Sequence, residues 1–361
     1  MRALKFAAAA ALALALPGVT QAQNTGNLQI YWIDVEGGAS TLFVSPTGES
    51  LLFDTGYPDN DRDAKRIFAV AQKAGLKQID HVVISHWHGD HVGGLPGLAK
   101  VIHIGKFYDH GDGVEQADKA RLDGYKTIAG SNRKAVKAGD SITLGGGVQV
   151  RVVVSEGPVI AQPINGGGPN PLCTNTPQMT PAAPENIRMV GLALNYGNFK
   201  MATLGDLDWS RELELVCPVN KLGSINLYTI NRHGGLDDSG SPALLGAIKP
   251  QVVVINNGPR KGLGQSDDRV KPVNADKATP YEKNSYLRLA KLPGIEGIWQ
   301  EHKSMIDSDP AHNTNPDMIA NLQDRDQADH PANWITASVG RDGKFTVTNS
   351  RNNFSKTYTA R

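Results

Sequence analysis

The run His86-Trp87-His88-Gly89-Asp90-His91 constrains this chain more than any other feature. Three of its ten histidines fall within six residues there, with an aspartate among them. The run comes directly after residues 79–85, where Ile79, Val82, Val83 and Ile84 read as a short apolar strand. Helical periodicity does not explain the cluster, because the strand stops at Ser85 and Gly89 interrupts the run. A loop leaving a strand end can turn several imidazoles and a carboxylate toward one point. Imidazole and carboxylate together suit zinc and similar borderline ions. The competing reading, a solvated polar turn, has to explain four potential ligands beside a buried apolar strand.

The rest of the chain alternates strands and helices. Residues 28–35, 40–44 and 49–53 read as strands, the last two joined by the turn Ser45-Pro46-Thr47-Gly48. Residues 61–74 read as a helix with Ala64, Ile67, Phe68 and Ala71 on one face and Gly75 at its end. Gly93 and Gly94 open a helix to residue 101, residues 106–109 form a strand, and residues 114–128 a helix. A strand at 148–154 precedes a Pro-, Gly- and Asn-rich insert at about 157–187, read as a loop. Residues 190–195 and 199–204 form a hairpin. Helices are expected at 210–216, 242–248 and 281–292, with strands at 227–231 and 252–255. Residues 259–278 and 303–331 read as long surface loops, and 334–339 with 345–349 as a closing hairpin. This order predicts an α/β sandwich with helices outside two sheets.

The 361 residues, 40% hydrophobic and 20% charged, suffice for one large domain or two small ones. The first residues read as a targeting segment. Arg2 and Lys5 precede an Ala- and Leu-rich run from Phe6 to about Leu16, which Pro17 and Gly18 break. Thr20-Gln21-Ala22 then offers small residues to a signal peptidase. The expectation is a signal peptide at 1–22 and a periplasmic or secreted mature protein. The apolar run is shorter than the roughly 20 residues a membrane anchor needs, and no span is expected after cleavage. Loss of Arg2 and Lys5 leaves 35 basic against 36 acidic side chains. That near-neutrality gives no electrostatic argument for nucleic acid or a membrane surface as a partner. Cys173 and Cys217, the only cysteines, could form one disulfide or remain two thiols. They are too few for a cysteine-based metal cluster.

At His86, His88, Asp90 and His91 the sequence resembles the metallo-β-lactamase superfamily, whose motif is His-x-His-x-Asp-His. Other segments match the same plan over roughly residues 28–260. Leu51-Leu52-Phe53-Asp54-Thr55-Gly56 resembles the motif whose aspartate supports the histidine loop from behind the ligands. Thr203-Leu204-Gly205-Asp206 resembles the motif of the metal-bridging aspartate, and Arg232-His233-Gly234-Gly235 that of the last ligand. Within the superfamily the chain is similar to stand-alone relatives of the competence-protein ComEC hydrolase domain. The pointers are Asp34-Val35-Glu36-Gly37-Gly38, Asn195-Tyr196-Gly197, and Arg232 to Gly235 with Ser239 and Ser241 after them. It departs where that group commonly has a histidine at position 232 and an acidic residue at position 39.

The resemblance implies an αββα sandwich over residues 23–361, with the insert at 157–187 and a C-terminal extension from about 279. It implies two divalent ions, zinc first, with manganese or iron as alternatives. His86, His88 and, as a candidate, His110 would hold one ion. Asp90, His91 and His233 would hold the other, and Asp206 would bridge them. The ions would hold a water and lower its pKa toward neutrality. Asp90 would also accept a hydrogen bond from that nucleophile. No histidine comes after the strand at 148–154, only Ser155-Glu156-Gly157. In the interval before Asp206, His110 ends a strand on the rim of the cluster, whereas His103 starts it on the opposite rim. His110 is therefore either the missing ligand or a turn histidine. Arg232, Arg260 and Lys261 near strand ends could meet an anionic substrate or be solvated surface charge.

The function implied is an exported binuclear hydrolase of phosphodiester or ester substrates, small molecules or short polymers. Nucleic acid is expected only as a substrate. Alternatives are a β-lactam or lactone hydrolase, a non-catalytic binding protein that keeps the metal fold, and an iron-based redox protein. His302, His312 and His330 read as packing or surface histidines, and Ser85 has no base arranged to make it a nucleophile.

Overall fold

The computed structural model describes residues 26–181, 183–235, 239–263, 282, 284–306, 309–323 and 332–361. The expected signal segment and His330 lie outside them. Seventeen strands form two sheets among the described residues. The first six are β1 (Leu28–Ile33), β2 (Thr41–Val44), β3 (Ser50–Phe53), β4 (Gln78–Val83), β5 (His103–Asp109) and β6 (Arg133–Ala135). Then come β7 (Ser141–Leu144), β8 (Val148–Val154), β9 (Gly191–Tyr196), β10 (Phe199–Thr203), β11 (Leu227–Thr229) and β12 (Val252–Ile255). The last are β13 (Gly297–His302), β14 (Ile319–Asn321), β15 (Trp334–Val339), β16 (Lys344–Asn349) and β17 (Ser355–Thr359).

One sheet runs β17-β16-β15-β1-β2-β3-β4-β5-β6 and the other β14-β13-β12-β11-β10-β9-β8-β7. Each is half antiparallel meander and half parallel. Strands β3 to β6 are parallel in the first, and β10 to β14 in the second. Parallel strands need crossovers, and helices supply them. Helices α1 (Arg62–Lys73), α2 (Gly89–Val92), α3 (Leu95–Val101) and α4 (Lys119–Ala129) accompany the first sheet. Helices α5 (Trp209–Val216), α6 (Pro242–Ile248) and α7 (Ser285–Ala290) accompany the second. The carboxyl ends of all the parallel strands then share one rim, where open α/β sheets place their sites.

Alternation sets the core. In β8 the burial alternates from Val148 to Val152, and in β15 every second residue is buried. The inward sets of both sheets meet in one layer with Trp32, Phe43, Phe53, Met201, Val254 and Phe345. The indole Nε1 of Trp32 donates across that layer to Thr229 Oγ1 at 2.8 Å. A second layer packs Ala64, Ile67, Leu98 and Leu122 of α1, α3 and α4 on the first sheet. A third packs Leu213, Leu244 and Leu289 of α5, α6 and α7 on the second. The result is an αββα sandwich of the metallo-β-lactamase type, as expected.

Some elements differ from the sequence reading. The helix expected from residue 114 starts at Lys119, because Val114 N donates to Glu185 at 3.1 Å and the Glu115 carboxylate accepts from Glu185 N at 3.1 Å. Those bonds hold residues 114–115 out of helix. The loop expected at 303–331 contains β14, which pairs in parallel with β13. Residues beyond 284 supply two strands to one sheet and three to the other, with β15 paired to β1 over six residues. Cys173 and Cys217 form a disulfide that ties the insert to the end of α5. No described helix is long and apolar enough to cross a membrane.

Candidate metal centre

Four strand ends bring the expected residues together. Asp54 lies just past β3, Ser85 to His91 past β4, Asp206 past β10 and His233 past β11. The backbone bends sharply to do this. Asp54, Arg232 and His233 hold φ of 65°, 48° and 55°. That left-handed conformation costs non-glycine residues of order 1–3 kcal/mol and persists where surrounding bonds fix it. Gly94 lets the loop after the cluster close, since a Cβ there would lie 2.0 Å from Thr55 O.

Asp54 is fully buried and organises the histidines from behind. Its Oδ1 accepts from Ser85 N at 2.7 Å, and its Oδ2 accepts from Ser85 Oγ at 2.7 Å. Oδ2 also accepts from His91 Nδ1 at 2.8 Å, which leaves His91 Nε2 facing inward. Ser85 Oγ donates its hydrogen bond to Asp54, so it accepts from His86 Nδ1 at 3.0 Å. That turns His86 Nε2 inward, 3.0 Å from His88 Nδ1. The other nitrogen of His88 faces Glu115 at 3.5 Å and Asp118 at 3.8 Å. His233 Nδ1 donates to Asn256 O at 3.2 Å, so its Nε2 also points inward.

Asp90, His91, Asp206 and His233 converge, and His86 and His88 lie outside that group. Asp206 Oδ1 lies 3.2 Å from His91 Nε2 and 3.3 Å from His233 Nε2. Asp90 Oδ2 lies 3.3 and 3.2 Å from the same two nitrogens. His91 Nε2, His233 Nε2 and Asp206 Oδ1 are buried and have no hydrogen-bond partner. Buried polar atoms are almost always paired, so orphaned donors aimed at one point fit a cation that binds all of them. All four residues offer ligand atoms within 4.8 Å of one another. Nitrogen and carboxylate oxygen are the donor set of zinc and its neighbours.

Electrostatics agree. Burial works against a charged His91, yet Asp206, Asp90 and Asp54 around it raise its pKa well above the usual value. Burial would raise Asp90 and Asp206, but their histidine neighbours, with Lys261 beside Asp90, hold both well below the carboxylate range. His86 is held well below its usual value by burial and then by His91 and His88. The pocket is thus prepared for positive charge, supplied by protons or by metal.

His110 stands apart. It lies on the expected rim, at the end of β5, but packs against Trp87 with ring centres 5.6 Å apart. Its Nε2 is 2.7 Å from Glu185 and its Nδ1 3.4 Å from Glu156. Both nitrogens therefore face carboxylates, and the ring is not in the convergent group of Asp90, His91, Asp206 and His233. Arg232 is half-buried beside His233, its amide donating to Gly205 O at 3.0 Å. His302 is buried with Nε2 2.7 Å from Asp34, and with Asp34 and Glu36 it forms a separate group whose ligand atoms lie within 4.8 Å of one another.

The sequence reading missed Glu115, Asp118, Asn256 and Glu212, and it missed that Ser85 links Asp54 to His86. Glu212 did leave a signal. In α5 it shares the face of Trp209, Leu213 and Val216, an anomalous place for a charge. It is fully buried and accepts from Asn231 Nδ2 at 2.8 Å, Gly240 N at 2.6 Å and Ser241 N at 2.7 Å. Those donors flank both ends of the His233 loop. Burial raises the Glu212 carboxyl to about 7 against the pull of those donors. A raised folded-state value contributes stability below the unfolded value, near pH 4.5, and that contribution is lost as pH rises through about 7. Glu212→Gln should therefore flatten the loss of stability between those pH values. Urea unfolding of both proteins at pH 5 and pH 8 checks it, and parallel pH dependences would contradict it.

A match to a family model supports the fold. Residues 33–169 match the family model of the metallo-beta-lactamase superfamily. A metal-dependent hydrolase of Cupriavidus metallidurans is 29% identical over 88 residues, 24% of this chain and 28% of the relative. Ribonuclease Z of Clostridium tetani is 36% identical over 63 residues, 18% of each chain. The chain thus spans less than a third of the length of these relatives. Among solved structures, the metallo-beta-lactamase fold protein YhfI of Bacillus subtilis aligns with a TM-score of 0.40 at 13% identity. That alignment covers 64% of this chain and 87% of that one.

Proposed function

We propose that this chain is an exported hydrolase that uses two divalent metal ions, zinc first and manganese or iron as alternatives, to cleave phosphodiester or ester bonds. The observation that carries the reading is the convergence of buried, unpartnered His91 Nε2, Asp206 Oδ1 and His233 Nε2 on one point beside Asp90. In this reading Asp90, His91 and His233 hold one ion, His86 and His88 the other, and Asp206 both. When bound, such ions polarise a substrate oxygen and make water nucleophilic at neutral pH.

The chain's own residues do the positioning. Asp54, Ser85 and Asn256 fix three ring orientations, so the donors need little rearrangement when the site fills. The outer nitrogen of His88 faces Glu115 at 3.5 Å, with Asp118 behind it at 3.8 Å. In this reading the Asp90 carboxylate would also accept a hydrogen bond from the attacking water. The likeness to the competence-protein hydrolase domain, carried by Asp34 to Gly38, Asn195 to Gly197 and Arg232 to Gly235, favours a phosphodiester over a β-lactam. Export is supported by the N-terminal sequence pattern and by the Cys173–Cys217 disulfide, since such bonds persist in oxidising compartments.

The test is hydrolysis of a model phosphodiester, a simple ester, a lactone and a cephalosporin by zinc- and manganese-loaded protein. Turnover of the phosphodiester or ester is the expected result. Fast cephalosporin turnover with neither of those cleaved would overturn the preference.

A further inference from the structure

A cleft of about 510 Å³ opens beside the metal centre. Arg62, Arg260 and Lys261 line it, with Tyr57 and the acids Glu36 and Asp59. The acids are already matched by cations. Asp59 pairs with Arg62, which also binds the buried Asp63 through Nε at 2.6 Å. Glu36 pairs with Arg66 at 3.1 Å. Lys261 differs, because the carboxylate its ammonium contacts is Asp90, one of the convergent group. The same ammonium bonds Tyr57 Oη at 3.0 Å and stands 5.2 Å from the centre of the Tyr57 ring. Lys261 thus joins the floor of the cleft to the metal centre.

Its stem is fixed. Gly258 N donates to Lys261 O at 2.9 Å, and a Cβ on Gly37 would lie 2.8 Å from Gly258 N and 3.0 Å from Lys261 Cβ. Movement is left to the side chain beyond Cβ. A divalent ion held by Asp90, His91, Asp206 and His233 would neutralise Asp90 and repel the ammonium. The charge of Lys261 is then available to whatever occupies the cleft, with Tyr57 still alongside.

We infer that this cleft is a recognition subsite for a non-reacting anionic group of the substrate, a carboxylate or phosphate a few bonds from the one cleaved, with Lys261 as its principal binding residue. The inference rests on the hydrolase reading, but the binding can be tested without turnover. Matched non-hydrolysable amides ending in a methyl, a carboxylate or a phosphate are titrated calorimetrically into zinc-loaded protein. The charged ends should bind about tenfold tighter than the methyl end, as a charge-assisted contact allows. Lys261→Met should abolish that preference and Lys261→Arg should retain part of it. The tighter of the two charged ends identifies the group. Without its metal, Lys261→Met should bind the first zinc more tightly than the parent, because a competing cation has left Asp90. A chelator competition measures that, and elemental analysis verifies loading of every variant. Equal binding of all three amides, or a preference that survives Lys261→Met, would overturn the subsite. A preference for the charged amides with no hydrolysis of the corresponding esters or phosphodiesters would overturn the hydrolase reading alone.

Discussion

Asp206→Ala is expected to lower kcat/KM on a cleaved ester by roughly 10³-fold, about 4 kcal/mol of transition-state stabilisation, and to release at least one metal ion. Asp206 offers the carboxylate oxygen that lies between His91 and His233, at 3.2 and 3.3 Å. Its side chain is not packed into an apolar layer, and its backbone carbonyl, which accepts from Asn186 Nδ2 at 3.3 Å, survives the change. The variant should therefore fold. Loss of the oxygen assigned to both ions removes the group that keeps them together. Steady-state rates with metal content on the same preparation check this. A variant that keeps two ions and acts within about tenfold of the parent would sink the bridging role.

Asp54→Asn should have the next largest effect, weakening metal binding by about 10- to 100-fold, as loss of an outer carboxylate does. Asp54 accepts from three donors, Ser85 N, Ser85 Oγ and His91 Nδ1. An asparagine keeps one oxygen and sets an amide N–H₂ against two of those donors. His91 then loses the bond that aims Nε2 inward. Asp54→Ala should be worse for the fold, since each buried donor left unpaired costs about 1–3 kcal/mol. Comparing the two variants separates ring orientation from stability. Competition with a chromophoric chelator reads the affinity, and a value within about twofold of the parent for Asp54→Asn would contradict the assignment.

Much of the centre was legible because it sits where simple patterns end. Apolar strands run into polar residues at Asp54, His86, Asp206 and His233, and parallel strands carry their carboxyl ends to one rim. What the pattern could not give is where a side chain turns once it arrives. His110 reaches the rim, but Glu185 on the insert and Glu156 after β8 face its two nitrogens. Neither partner is near it in sequence. Glu115 and Asp118 were hidden inside a stretch read as one helix. Lys261 stood out only as one of several charges near strand ends, and its contact with Asp90 spans 171 residues.

The missed strands have their own reasons. In β13 the buried Gln300, Glu301 and His302 break the apolar signature of an interior strand. Gln300 and His302 meet partners such as Asn313, Thr314 and Asp34 that only the fold supplies, while the buried Glu301 carboxylate has no hydrogen-bond partner among the described residues. β17 buries Tyr358 alone among five residues, and β6 and β14 have three residues each, too short for periodicity to register. The disulfide was undecidable for the same reason as His110, because the closeness of residues 44 positions apart is a property of the folded insert.

The central claim is a centre that binds two ions. Its most direct test is elemental analysis of the purified protein after exhaustive dialysis against metal-free buffer. The assignment predicts close to two equivalents of zinc, manganese or iron per chain, falling toward one or none in Asp206→Ala. A parent protein that retains no metal, and takes up none when zinc or manganese is added back, would contradict it.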